Sequence, residues 1–528
     1  MVAWFDPHEG TLDLQLDGSP NVRVQIALGG VVLFVAAGWV DAQTDGLPLF
    51  ERDACPFPEE TIDVRCGYLL VPEDRTDPGG AIIELAVAII PAANGAPRAD
   101  PVIYLEGGPG GSALFAAQDF QTHPIRENRD VILLDQRGAG FSFPSLNCFE
   151  LEVEEPDEDA LAACYERLLG EGIDLNAYNS AAHSADVNDL RIALGHDEVN
   201  LWGISYGSRL ALTVLRDHPE GVRAVVLDSV YPPEVDVLES GVFDSLRAFA
   251  ELFESCAEDV VCGAAYPTLE ADFLTMVEAF GEDPPVFAYE GEEIALYGDM
   301  ILDAVFETLY DSAAIPMLPY GITLLANAAD DDDYHDGYDI LLGYWTPATW
   351  EAGETGYVGD SIFDSDPVLA YIDVFGDVSD SEGVYSSVEC AEEVVFNDRR
   401  TALDVIDANV PTELAELRRW LYDATEIAFL DCDVWAVAPR SPIETEPVAS
   451  DVPALLVSGR FDPVTPPYFA ESALQTLNHG QHVVFPTGGH GETSLSGCAA
   501  ELAVAFFDSP YDVVDPSCVP TSIDWYVE

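Results

Sequence analysis

The chain has 528 residues, of which 20 are basic and 97 acidic, for a formal net charge of −77. Hydrophobic residues make up 48%, which excludes wholesale disorder, and the length excludes a single short domain. The charge excludes unaided binding to a nucleic-acid backbone, because like charges repel, and no window is long and apolar enough for a multi-span membrane protein.

The chain opens on an acidic stretch, 1–21, followed at 26–40 by one apolar run, IALGGVVLFVAAGWV. The run is short for a membrane span and suits the apolar region of a signal peptide, with Val40-Asp41-Ala42 as a small-residue cleavage site. Residues 1–42 are therefore read as a leader cut after Ala42. An acidic start is wrong for such a leader, and translation beginning near Val22 would account for it. An uncleaved anchor is the alternative. The expected location is secreted or periplasmic, with no stable membrane insertion once the leader is removed. The ten cysteines agree, because an even count in an oxidising compartment implies disulfides. Consecutive pairing gives Cys55–Cys66, Cys148–Cys164, Cys256–Cys262, Cys390–Cys432 and Cys498–Cys518. Connectivity stays open, since sequence requires only the oxidised state.

Beyond the leader, 64–74 and 81–92 read as strands flanking the turn DRTDPGG, and 101–105 and 130–135 as short buried strands. Helix 181–194 ends at Gly195. Strand 198–203, helix 206–217 and strand 222–227 follow. Strands alternating with helices predict a mostly parallel sheet with crossover helices. The rhythm stops at Tyr231-Pro232-Pro233 and resumes with strand 452–458, helix 466–477, strand 481–485 and helix 496–507. The predicted organisation is a sheet domain over 43–233 and 431–528, interrupted at 234–430 by a mainly helical insertion with acidic loops. Asp330-Asp331-Asp332-Asp333 does not fit an EF-hand loop and reads as a solvated loop. No metal and no cofactor is expected.

The chemistry concentrates at Gly203-Ile204-Ser205-Tyr206-Gly207, between a strand and a helix. G-x-S-x-G at a strand-to-helix turn is a nucleophile elbow, which presents the Ser205 hydroxyl above the sheet. A serine hydroxyl needs a base, and the base an orienting acid. Asp462 follows strand 452–458 and His490 follows strand 481–485, both at C-terminal strand ends, where such sheets build their sites. Asp228, at another strand end, is the reserve acid. Two backbone donors are needed for an oxyanion. They are assigned to the amide of Tyr206 and to Gly108 in the loop Glu106-Gly107-Gly108-Pro109-Gly110-Gly111, with Gly107 next in order. That loop lacks the lysine and spacing of a phosphate-binding loop.

Five segments appear in order: EGGPGGS (106–112), LLDQRGAGFS (133–142), GISYGSR (203–209), GRFDPVTP (459–466) and GGHG (488–491). Together they resemble the proline iminopeptidase and tripeptidyl aminopeptidase group of the α/β-hydrolase superfamily. CGYLLVPED (66–74), YNSAAHSADVNDLRIALG (178–195) and VECAEE (388–393) look like its secreted tripeptidyl branch. The resemblance implies an α/β-hydrolase fold with an inserted, mainly helical cap. It implies a serine aminopeptidase that forms an acyl-enzyme at Ser205 and takes peptide substrates with a free N-terminus. Cap carboxylates would bind the substrate amine, and Glu389, Glu392 and Glu393 are candidates. Glu106 departs from the His, Asn or Gln often found before the double glycine, and it joins them as an attractor of the ammonium. Asp135 and Arg137 are expected to brace the neighbouring loop. The alternative class is a non-peptidase hydrolase of small esters or amides.

Overall fold

The computed structural model describes residues 47–56, 63–77, 79–152, 159–289, 292–328, 331–344 and 378–527, together with the strands Val2–Asp6, Thr11–Gln15 and Val22–Gln25. Met1–Gly46 and Leu47–Glu528 are two compact units. In the first, the three strands form an antiparallel sheet, Val2 opposite Gln15 and Thr11 opposite Gln25. Strands here were not foreseen by the leader reading. The apolar run 26–40 and the cleavage site at Ala42 lie outside the described residues.

The second unit is built on nine strands: β1 (Leu49–Asp53), β2 (Arg65–Pro72), β3 (Ile82–Ile90), β4 (Val102–Leu105), β5 (Val131–Leu134), β6 (Val199–Ile204), β7 (Val222–Asp228), β8 (Ala454–Gly459) and β9 (Gly480–Phe485). Their order across the sheet is β9-β8-β7-β6-β4-β5-β3-β2-β1. The six strands from β9 to β5 run parallel, and β3, β2 and β1 are antiparallel. β1 was not predicted from sequence; it is an exposed edge strand without a clear apolar period. The central strands β4, β5, β6 and β8 are buried at every position, as expected for parallel strands covered on both faces. Side chains alternate between two apolar clusters, Ile103 and Leu105 on one face, Val102 and Tyr104 on the other. Helices Ser180–Ala193 and Tyr206–Asp217 cover the first face, and Gly497–Asp508 covers the second. This is the α/β-hydrolase fold.

Between β7 and β8 the described residues are mostly helical, from Val237–Glu258 through Gly298–Thr308 and Glu382–Glu392 to Ala415–Val434. Most of them share an apolar cluster of their own, which Phe461 joins from the loop after β8, while helix Glu382–Glu392 packs into the sheet's cluster through Val384 and Val388. A hairpin, Val286–Tyr289 with Glu292–Ala295, was not predicted among these helices. Three of the four aspartates expected in a loop lie instead at the start of helix Asp331–Leu341, and Asp330 lies outside the described residues. All five cysteine pairs form disulfides in consecutive order.

Candidate active site

Ser205 is the residue between β6 and helix Tyr206–Asp217, with φ 53° and ψ −125°. Positive φ is costly for a non-glycine residue, about 1–3 kcal/mol, and persists only where the surroundings enforce it. The flanking glycines make this turn possible by close approach. A Cβ on Gly203 would stand 2.1 Å from the Gly207 carbonyl oxygen, and one on Gly207 would stand 2.0 Å from that of Leu105. The Ser205 amide donates to Asp228 O at 3.0 Å, and Ser208 Oγ donates to Ser205 O at 2.6 Å. The hydroxyl is thereby left free of the backbone and partly exposed.

Asp462 and His490 come together as the sequence predicts, at 2.9 Å between Oδ2 and Nδ1. Asp462 is fully buried and also accepts from the amides of Val464 and Thr465, at 3.0 and 2.7 Å. Burial alone would raise its carboxyl, but the neighbouring His490 and the hydrogen bonds from His490 and Thr465 hold it below the usual value. Burial would likewise lower His490, yet Asp462, Asp228 and Glu106 raise it. The pair is thus tuned to keep the acid ionised and make the imidazole a stronger base. Among the described residues no hydrogen bond links His490 directly to Ser205; such bonds often tighten only around substrate.

Glu106 was expected as an ammonium site, but its carboxylate is already occupied. Oε2 accepts from Tyr104 at 3.0 Å and Oε1 from the Gly107 amide at 2.9 Å. Burial raises its pKa against these bonds. Because Gly107's amide is spent on Glu106, Gly108 is the better oxyanion donor in the loop. Gly108 is exposed, with φ +100°. The Tyr206 amide, first in its helix, has no carbonyl partner one turn back. Gly107 packs on the nucleophile, since a Cβ there would lie 2.9 Å from Ser205 Cβ. Asp135 and Arg137 brace this region: Asp135 accepts from Ser112, Leu114 and Phe141, and Arg137 grips Asp186.

Glu389, Glu392 and Glu393, on and just after helix Glu382–Glu392, gather around the buried Arg209 of the elbow helix. Glu392 Oε1 accepts from the Ser180 amide at 2.7 Å, and its Oε2 lies 4.0 Å from Arg209 Nε. Glu393 forms a close ion pair with Arg209. Glu389 is half-buried, and among the described residues no donor bonds its carboxylate. Burial and then Glu393 raise its pKa, with Arg209 opposing. Its charge is felt by Tyr385 and by Tyr206, the residue after Ser205.

Sequence reading missed three supports. Arg247 of the insertion donates to Arg460 O at 2.7 Å and to Asp462 O. The Tyr310 ring lies tilted against the His490 ring, centroids 4.8 Å apart, and its carbonyl accepts from the His490 amide at 2.9 Å. Arg209 itself was readable, as a lone cation within the otherwise uncharged run Tyr206–Leu215; such a cation demands buried partners.

A family model described as the alpha/beta hydrolase fold matches residues 100–259, which contain Ser205, and one described as TAP-like protein matches 421–516, which contain Asp462 and His490. Serine protease Hip1 of Mycobacterium tuberculosis is 26% identical over 438 residues, covering 76% of each chain. Tripeptidyl aminopeptidase of Streptomyces lividans is 26% identical over 515 residues, 87% of this chain and 84% of that one. Probable proline iminopeptidase of Streptomyces coelicolor is 32% identical over 196 residues, 36% of this chain and 51% of that one. An elbow serine beside a hydrogen-bonded Asp–His pair, with peptidases among the relatives, makes this chain a serine hydrolase. It has the α/β-hydrolase fold, and its likeness is to the tripeptidyl aminopeptidase and proline iminopeptidase group.

Proposed function

We propose that the protein is an extracytoplasmic serine exopeptidase that releases residues or short peptides from free peptide N-termini. The observation that carries this reading is the charge imbalance around Arg209: three glutamates face one guanidinium, and among the described residues Glu389 has no donor of its own. A substrate ammonium would bring both the missing charge and up to three hydrogen-bond donors. Glu389 is preferred over Glu106, whose two oxygens are already engaged, and over Glu392, whose Oε1 is engaged and whose Oε2 is sealed from solvent, whereas Glu389 is half-buried. The five disulfides support an oxidising compartment.

In this reading Ser205 Oγ attacks the scissile carbonyl while its proton passes to His490. The Gly108 and Tyr206 amides take the oxyanion. His490 then returns the proton to the leaving nitrogen as the C–N bond breaks, and water releases the acyl group by the same path. The test compares aminoacyl, prolyl and tripeptidyl anilides with their N-acetylated forms and with p-nitrophenyl acetate. Free-amine substrates should be favoured on the order of 10²-fold or more. Equal cleavage of the acetylated peptides would replace amine recognition with hydrolysis of small esters or amides.

A further inference from the structure

The loop bearing His490 is tied to the elbow bearing Ser205 by a two-residue turn, Asp228-Ser229, at the end of β7. The Asp228 carbonyl accepts from the Ser205 amide at 3.0 Å. Its carboxylate Oδ2 accepts from the Thr493 amide at 2.6 Å and from the Thr493 hydroxyl at 2.5 Å. Ser229, with φ 49°, accepts on Oγ from the Gly491 amide at 2.8 Å. One turn thus holds the nucleophile's backbone and the two residues, Gly491 and Thr493, that follow the base. The other carboxylate oxygen, Oδ1, is buried and has no hydrogen-bond partner among the described residues, and Asp228 is wholly inaccessible. A buried carboxylate left half-bonded costs stability unless its charge serves something nearby. It cannot be the orienting acid, since His490 Nδ1 is taken by Asp462.

We propose that Asp228 is a positioning residue for His490: its clamp holds the base loop on the elbow, and its half-bonded carboxylate steadies the imidazolium formed when His490 takes the Ser205 proton. The inference rests on the Ser205–His490–Asp462 reading but not on amine recognition. Several other groups act on the same histidine: Asp462 after β8, Glu106 after β4, Glu307 of helix Gly298–Thr308 and the ring of Tyr310. Asp228 itself also faces Asp462, Glu492 and Tyr104. Asp228 stands out among the carboxylates on His490 because it also binds the histidine's own loop.

The experiment uses p-nitrophenyl acetate turnover and fluorophosphonate labelling of the full protein, each as a pH profile. Asp228→Asn keeps an acceptor for Thr493 and removes the charge. It should lower kcat about tenfold with KM unchanged and move the acid limb down by about half a pH unit or more. Ser229→Ala loosens the loop without touching the charge, so it should lower kcat and leave the limb in place. If Asp228→Asn does not fold, Thr493→Val decides. Losing the hydroxyl donor should raise the Asp228 carboxyl, neutralise it within the limb and move the limb the same way. An unmoved limb in either folded variant, or an equal shift in Ser229→Ala, overturns the proposal. Wild-type protein that does not take up fluorophosphonate at Ser205 would instead sink the hydrolase reading itself.

Discussion

Two buried charge clusters lie beside the active site, and they are balanced in opposite ways. In the first, Arg137 holds Asp186 through two bonds of 2.7 and 2.8 Å. Arg75 reaches the same carboxylate and also Asp189 at 2.7 Å. Two guanidiniums face two carboxylates, and Arg137's spare donor goes to the carbonyls of Glu73 and Ala177, at 2.8 Å each. Burial would raise Asp186, but Arg137 brings it below its ordinary value. In the second cluster a single Arg209 faces Glu389, Glu392 and Glu393, and burial keeps all three carboxyls raised. Arg209's remaining bond goes to Glu444 O, and its plane lies 4.7 Å from the Tyr231 ring. The first cluster is complete and braces a loop. The second has, among the described residues, one guanidinium for three carboxylates, and that imbalance is what the proposed ammonium would relieve.

The most severe test removes the chemistry both clusters serve. Ser205→Ala should leave the fold intact and cut turnover on the order of 10⁴-fold or more, because members of such a triad act as a unit. Near-wild-type activity in the purified variant would end the comparison by ending the site.

The clusters themselves should part ways under mutation. Arg137→Ala leaves the buried Asp186 with Arg75 alone and strips the donors from the Glu73 and Ala177 carbonyls, and it should cost about 3 kcal/mol in denaturant unfolding. Glu389→Gln relieves a buried like-charge contact and should cost little or nothing, while raising KM for free-amine peptides on the order of 10- to 100-fold. A large stability loss in Glu389→Gln would place that cluster with the first one.

The pH dependence sharpens the same distinction. Ionised Glu389 binds the amine and neutral His490 acts as base. Both groups have raised pKa values, so both functions are lost as pH falls through them. The acid limb of kcat/KM should therefore be second order in protons for a free-amine peptide and first order for a neutral ester. Glu389→Gln should restore first order for the peptide. The basic limb should follow the substrate's own amine and be missing for the ester. Identical limbs for both substrates would remove the second cluster from substrate binding.

The smallest effect concerns charge outside both clusters. With a net charge of −77, added salt should screen surface repulsion and raise Tm by a few degrees between dilute buffer and molar sodium chloride. A flat curve would make codon bias the better account of a composition in which all 20 cations are arginine.

What could be read from the sequence was set by local backbone demands. The elbow is legible because only glycine fits at 203 and 207, where a side chain would meet a carbonyl oxygen at about 2 Å. Asp462 and His490 are legible because each follows a strand of the parallel sheet, β8 and β9, at its C-terminal end, and their bond of 2.9 Å follows from that placement. The disulfides pair neighbours in sequence, across separations of 6 to 42 residues. The first-unit strands, the edge strand β1 and the hairpin at 286–295 were not legible, because short strands carry too few residues for a clear apolar period. Nor could sequence choose among the carboxylates. Glu106, Glu392 and Glu389 are alike as residue types, and they differ only in what the fold brings to them. Glu106 meets Tyr104 and its neighbour's amide, Glu392 meets the Ser180 amide from more than 200 positions away, and Glu389 meets no donor among the described residues. Asp228 likewise changed from a reserve acid into a clamp because Thr493, 265 residues on, came to lie against it. Charge balance is a sum over neighbours in space, so only the tertiary structure could decide it.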